Sequence, residues 1–232
     1  MNTRFRIYLT SWLATALCVA LLAACEGGPD AKADGKRRAP DERPKGRLDA
    51  LRVQADVARN RLWVLHGDGV YVYEITTRRQ IGRIGMFVGE PADCAPDLAL
   101  DPSGAAIVSS SVRAVLWRLD PERPEPRRHE LTLDTDRHKL VGFTGLAFAD
   151  GMLFGVDALH GSLWKIDLAA GKAQKLALSS PVRGACGLAQ QKPVQAAPGH
   201  SVVLCAVGEK WIRHIELSPD LKRGNVTDRS CT

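Results

Sequence analysis

The feature that most limits what this chain can fold into is a repeat. Four short apolar segments, ADVA (55–58), PDLA (96–99), TGLA (144–147) and CGLA (186–189), open units spaced by about 40 to 50 residues. Turn residues follow the first three, at Arg59-Asn60, Asp101-Pro102-Ser103-Gly104 and Asp150-Gly151. A second apolar run comes next in each unit: RLWVLH (61–66), AAIVSS (105–110), MLFGVD (152–157) and SVVLCAV (201–207). A third follows: VYVYEI (70–75), AVLWRLD (114–120), SLWKIDL (162–168) and WIRHIEL (211–217). Weaker fourth runs, HELTL (129–133) and KLAL (175–178), complete the middle units.

Apolar residues recur with period two, and turn residues separate the runs, so each unit reads as an antiparallel meander. Residues 49–232 contain no convincing amphipathic helix. Three or four short strands repeated at this spacing are the sequence sign of a β-propeller blade. A blade buries its faces against its neighbours, so no single unit folds alone. The expected fold is all-β, a propeller with about four visible blades over residues 49–232. A compact ring, an open ring and a ring completed by two chains are all compatible with four units, which leaves monomer and dimer open. Residues 46–53 (GRLDALRV) are the candidate closing strand for the last blade.

Two of the units carry a family resemblance. DLALDPSGAAIVSSSVRAVLWRLDPE (97–122) resembles the NHL-type repeat, which is also seen in gluconolactonase/senescence-marker-like and YVTN-type propellers. TGLAFADGMLFGVDALHGSLWKIDLAAGK (144–172) is similar to the same pattern, with Asp157 where those families often place an aspartate after the second strand. The resemblance implies the propeller fold and says little about activity, because such folds host many functions. In the lactonase-type relatives an acidic and amide-bearing set holds a catalytic divalent metal. The asparagines of the domain here, Asn60 and Asn225, fall in a turn and the tail, so the amide members of that set have no match.

The N-terminus sets the expected location. Residues 1–24 have the layout of a secretory signal, with Arg4 and Arg6, an apolar stretch from Tyr8 to Leu22, and small residues at the cut. Thr10, Ser11 and Thr15 interrupt that stretch, which falls short of the roughly 20 apolar residues a membrane span needs. Leu22-Ala23-Ala24-Cys25 resembles the lipobox of bacterial lipoproteins. That resemblance implies a diacylglyceryl group on the Cys25 sulfur, palmitate-type acylation, and attachment on the periplasmic side. Glu26, in place of a retention aspartate, points to the outer rather than the inner membrane. Residues 25–48 are a lipidated tether expected to be disordered: glycines, prolines and charges of both signs leave too little apolar surface to offset chain entropy.

The formal net charge is +6, of which Arg4 and Arg6 belong to the signal. Export, and the absence of a basic segment interleaved with aromatics, argue against nucleic acid as partner. The expected partners are the membrane, through Cys25, and a protein or a cell-wall ligand. With Cys18 in the signal and Cys25 lipidated, Cys94, Cys186, Cys205 and Cys231 remain. An even number in an oxidising compartment predicts two disulfides, with three pairings open. A Cys186–Cys205 bridge across a hairpin, leaving Cys94 with Cys231, is one of them.

No catalytic residue is assigned, because no nucleophile elbow or metal-spaced histidine pair is present. No cofactor is assigned either. Asp56 and Asp97 share a repeat position held by Gly145 and Gly187 in the other units, and with Asp157 they are the weak candidates for a cation in the channel. Trp63, Trp117, Trp164 and Trp211 supply one tryptophan per unit, which reads as blade packing. The functional expectation is a lipid-anchored, non-enzymatic binding or scaffold module. The alternatives are a metal-dependent lactonase-like hydrolase and an accessory assembly factor of an envelope complex.

Overall fold

Period-two alternation becomes four sheets, each built on a four-stranded antiparallel meander from one sequence unit. The structure is a computed structural model and describes residues 50–86, 94–120, 122–134, 142–191, 202–229 and 231. The signal (1–24) and the tether (25–48), with Cys25, lie outside the described residues.

Blade 1 consists of β1 (Arg52–Asp56), β2 (Arg61–His66), β3 (Gly69–Glu74) and β4 (Gln80–Gly85). Blade 2 consists of β5 (Leu98–Leu100), β6 (Ala106–Ser109), β7 (Val115–Asp120) and β8 (Arg123–Glu130). The short β9 (Thr132–Leu133) follows. Blade 3 is built from β10 (Gly145–Ala149), β11 (Met152–Val156), β12 (Leu163–Asp167) and β13 (Lys172–Lys175). After the short β14 (Ala177–Leu178), blade 4 is built from β15 (Ala185–Gln191), β16 (Val203–Gly208), β17 (Ile212–Leu217) and β18 (Arg223–Thr227). A single 3-10 turn, Val57–Arg59, is the only helical element among the described residues. The arrangement is a β-propeller of four blades, with β1, β5, β10 and β15 as inner strands.

Local chemistry sets the hairpins. The β10–β11 turn places Asp150 at φ 48° and Gly151 at φ 74°, the two left-handed positions a tight hairpin of matching twist requires. Opposite each other across β2 and β3, Trp63 meets Val72 and Leu65 meets Val70. These four side chains point toward blade 2 and join Leu98, Ala106, Val108 and Leu119 in one buried cluster. A second cluster, including Ile107, Leu116, Phe143 and Trp164, fills the space between blades 2 and 3. A third, including Phe154, Leu163, Leu204 and Ile215, joins blades 3 and 4. Each fully buried Leu or Phe stabilises its interface by about 1.5–3 kcal/mol. The four tryptophans pack as expected, Trp63 and Trp164 fully buried and Trp117 and Trp211 partly so.

The two weak fourth runs divide differently from the sequence expectation. HELTL splits between the end of β8 and β9, which leaves blade 2 and pairs in parallel with β13 of blade 3. KLAL splits likewise: β14 pairs in parallel with β18 of blade 4. Each crossing segment therefore adds an outer edge strand to the next blade and stitches consecutive blades together. The outermost strand of blade 2, RPEPRRHE, had no apolar signature; it is an edge strand, where proline and charge are tolerated.

Of the candidate closing segment 46–53, residues 46–49 lie outside the described residues, and 51–53 lie in blade 1 rather than the last blade. Arg52 and Val53 begin β1, paired with Leu65 and Val64, and the Leu51 N–H donates to the Leu65 carbonyl. Blade 4 is formed by C-terminal strands and β14 alone. Among the described residues, no fourth apolar cluster joins blade 4 to blade 1.

Candidate functional site

The starts of the inner strands meet at one end of the channel, and a circuit of polar contacts passes through all four blades there. Arg52 of blade 1 donates from Nε to Asp97 Oδ1 of blade 2 at 2.9 Å. Asp97 Oδ2 accepts from the Leu146 N–H of blade 3 at 2.8 Å. Thr144 Oγ1, beside it, donates to the Ala185 carbonyl of blade 4 at 2.7 Å. The other arm of Arg52 closes the circuit by donating to the Cys186 carbonyl. Asp97 is 4% exposed, and its Oδ1 also accepts from the Leu98 N–H. Burial pushes its carboxyl above the ordinary carboxylate range, against the opposing pull of Arg52 and the two backbone N–H groups.

Of the two glycines at this repeat position, Gly145 has a packing reason. A Cβ on Gly145 would lie 2.6 Å from the Gly187 carbonyl carbon and 2.7 Å from the Leu188 nitrogen. Strands β10 and β15 therefore touch backbone to backbone, which no other residue at 145 permits.

Asp56 is not where the sequence alignment put it. The ADVA segment does not open β1; it straddles the strand's end and the 3-10 turn. Asp56 caps that turn, accepting from the Arg59 N–H at 3.3 Å and pairing with its guanidinium at 3.1 Å. It lies four residues along β1 from the channel end, about 13 Å at the usual strand rise. Arg52 occupies the place in blade 1 that Asp97 holds in blade 2.

Asp157 follows β11 and is 1% exposed. Its carboxylate organises the 157–162 loop, accepting from the His160 N–H at 2.6 Å, the Ser162 N–H at 3.3 Å and Trp164 Nε1 at 3.3 Å. A hard cation needs several oxygens converging on one point. Asp56, Asp97 and Asp157 are separated and already engaged, and the described residues hold no cluster of three acidic, histidine or cysteine side chains suited to a metal. The donor set does not fit a divalent ion.

Over this end opens a cavity of about 1070 Å³ whose walls come from all four blades. That volume is in the range of small-molecule sites. The polar side chains at its base, Arg52, Asp97, Thr144 and Asp157, are committed to one another, to backbone or, for Asp157, also to the His160 and Trp164 rings. Ser111, 3% exposed, also lines it, and its hydroxyl is buried with no hydrogen-bond partner. The exposed wall carries the apolar Leu159, 61% exposed, and Val207, 38% exposed, beside the partly buried Trp211 ring, with the exposed Gln54 on the blade 1 side. Glu209 and Lys210 stand at the rim. Sequence reasoning missed Arg52, Leu159, Val207 and Trp211 as lining residues; anchoring the first unit on its hairpin pairs would have found Arg52.

Of the two disulfides, one lies in the wall of the cavity. Cys94, four residues before β5, is bonded to Cys186 at the cavity, and Cys205 is bonded to Cys231. The hairpin pairing Cys186–Cys205 is not formed. In the β15–β16 ladder Cys205 faces Ala189, while Cys186 sits at a bulge between Ala185 and Gly187. Constraining loops of 92 and 26 residues stabilises the fold by about 4–5 and 3–4 kcal/mol on the chain-entropy argument.

No family model and no curated protein matches the chain. Among solved structures it is similar to hydrazine synthase of Kuenenia stuttgartiensis, at TM-score 0.53 and 12% identity over 84% of this chain and 54% of that one. A catalytically inactive virginiamycin B lyase from Staphylococcus aureus, solved with quinupristin, gives TM-score 0.56 and 10% identity over 81% and 57% of the two chains. The nidogen/laminin complex gives TM-score 0.51 and 15% identity over 76% and 62%. At such identities the likeness shows the shared propeller fold alone. The chain spans little more than half the length of the first two proteins.

Proposed function

We propose that this chain is a lipid-anchored binding module of the bacterial cell envelope, held on the periplasmic side of the outer membrane by acylated Cys25. The channel-end cavity takes a protein or cell-wall ligand. The observation that carries the reading is the division of labour at that cavity. Arg52, Asp97 and Thr144 at its base are spent on joining the blades and Asp157 on ordering its own loop, while Leu159 and Val207, beside the partly buried Trp211 ring, offer an accessible apolar surface. Such a surface suits recognition of a ligand through apolar contact. The two disulfides agree with an exported location.

The lactonase-like alternative draws no support from Asp56, Asp97 or Asp157, for the reasons of geometry given above. The accessory-factor alternative differs only in what the cavity binds.

Anchoring and binding are tested separately. Cys25→Ala is expected to move the protein from the membrane to the soluble envelope fraction and to abolish radiolabelled palmitate incorporation. Persistence of both would refute the lipid anchor. For the cavity, Leu159→Glu with Val207→Glu is compared with Val57→Glu, a still more exposed site beyond the far end of β1. The account expects the cavity variant alone to lose ligand co-isolated from envelopes; equal retention by both would refute it.

A further inference from the structure

The four blades treat their outer edges differently. In blades 3 and 4 the outer strands β13 and β18 are each paired in parallel with a short strand from the preceding crossing, β9 and β14. In blade 2 the outer strand β8, RPEPRRHE, guards its edge with prolines and charges, the usual defence of an unpaired strand. The outer strand of blade 1, β4 (QIGRIG), has neither device. It ends the sheet order β1-β2-β3-β4, and among the described residues no strand pairs with its outer side. It contains no proline, and its one charged side chain, Arg83, is bound to Asp68 at 2.9 Å.

The ladder fixes which backbone groups of β4 are free. The Met86 N–H donates to the Asp68 carbonyl at 3.3 Å, and the pairs Val70–Ile84 and Val72–Gly82 follow at alternate positions. Ile84 and Gly82 therefore turn their N–H and C=O groups toward β3, while Arg83 and Gly85 turn theirs outward. A Cβ on Gly85 would meet no atom within 4 Å, and Ile81, at the bulge in this ladder, is 45% exposed. The turn before β4 adds Arg78 and Arg79, both exposed and neither in an ion pair with a described residue.

We propose that the outer edge of β4 is a strand-addition site for an extended acidic segment of a partner protein. The added strand pairs with the outward groups of Arg83 and Gly85, the kind of edge pairing that β9 and β14 already make in blades 3 and 4. Its carboxylates meet Arg78 and Arg79, and an apolar residue lies on Ile81. Charge selects this occupant. A second copy of the chain would bring the same arginines, and β4 and its turn carry no acid to offer them. The chain's own segment 36–47, KRRAPDERPKGR, is basic and interrupted by prolines. Strand β4 supplies no wall of the channel-end cavity, so this site stands independently of that one.

The test is fluorescence anisotropy of a labelled peptide, Asp-Val-Glu-Val-Asp-Val-Glu with blocked ends, titrated with the full chain in mild non-ionic detergent. Two further versions carry N-methyl groups on the valines or on the acids, which keeps charge and side chains but removes the main-chain donors of one peptide edge. The unmodified peptide is expected to bind saturably, and at least one methylated version to bind at least about 10-fold more weakly. Gly85→Pro, which removes an outward donor and spares the β3 ladder, is expected to weaken binding by a similar factor. Gly85→Ala, which keeps that donor, is expected to bind as the wild type does. Far-ultraviolet dichroism checks the folding of both variants, and the methylated peptides test the pairing on the unaltered protein. No saturation by about 1 mM peptide overturns the proposal. So does full binding by both methylated versions, or equal binding of Lys-Val-Lys-Val-Lys-Val-Lys. A dimer of the chain alone that Gly85→Pro dissociates would assign the edge to a second copy and overturn it too.

Discussion

Arg52→Met removes a side chain that bonds both blade 2 and blade 4 at the channel end, while keeping much of its apolar stem. Its loss leaves the Asp97 carboxylate buried without its cation. Breaking a fully buried pair from one side costs about 3–5 kcal/mol. Two features reduce that figure here. Asp97 keeps the Leu98 and Leu146 N–H donors, and the Arg52 side chain is 30% exposed, so water already shares its charge. The expected loss is about 2–3 kcal/mol, or roughly 5–10 °C in Tm for a domain of this size. Calorimetry under oxidising conditions, so that Cys94–Cys186 stays formed, measures it. In a double-mutant cycle, Arg52→Met should cost much less in an Asp97→Asn background, because the stranded charge is gone. A loss below about 0.5 kcal/mol for Arg52→Met would refute the reasoning, since that is the range of an ordinary surface change.

Gly145→Ala should destabilise by about 1–3 kcal/mol, since its Cβ would strike the Gly187 backbone, whereas Gly187→Ala meets nothing nearer than the Val207 Cβ at 3.7 Å and should be nearly neutral; urea titration of the pair reads the difference. Peptide mapping of oxidised protein should recover Cys94–Cys186 and Cys205–Cys231, and Cys94→Ala with Cys186→Ala should cost about 4–5 kcal/mol, more than removing the other bridge. The stability of the fold should respond to acid with two opposite signs. Burial alone would raise Asp101, but hydrogen bonds from Ser103, Arg118 and the Ala105 N–H bring it below the usual carboxylate value. Its contribution is therefore present above the unfolded pKa of about 3.9 and lost as pH falls through its folded value, and Asp101→Asn should flatten that acid limb. Asp97, raised in the folded state, binds its proton more tightly when folded, so Asp97→Asn should remove a stability gain seen on acidifying from its folded pKa toward about 3.9.

The blades were legible because apolar alternation survives wherever a strand is covered on a face. RLWVLH coincides with β2, and MLFGVD and SLWKIDL differ from β11 and β12 only at their ends. The outer strand β8 was illegible because an edge strand packs on one neighbour and has no need of alternation. The channel end was misread in blade 1, where ADVA imitates the opening motif of the other units while the Asp56 cap places it at the strand's far end. Arg52 carried no repeat signal, since arginine, aspartate and glycine fill one position for different reasons: charge pairing across blades 1 and 2, backbone contact across blades 3 and 4. Disulfide partners depend on strand register, which separates Cys186 from Cys205 and is not written in their spacing.

The most direct test of the cavity as the binding site places a photo-crosslinking amino acid at residue 159, on its apolar rim, and at residue 57, beyond the far end of β1, in otherwise native full-length protein in intact cells. Both positions are highly exposed, at 61% and 71%, so folding and access are matched. The account predicts a discrete covalent adduct from position 159 that position 57 does not form. Equal adducts from both positions, or none from position 159, would contradict it.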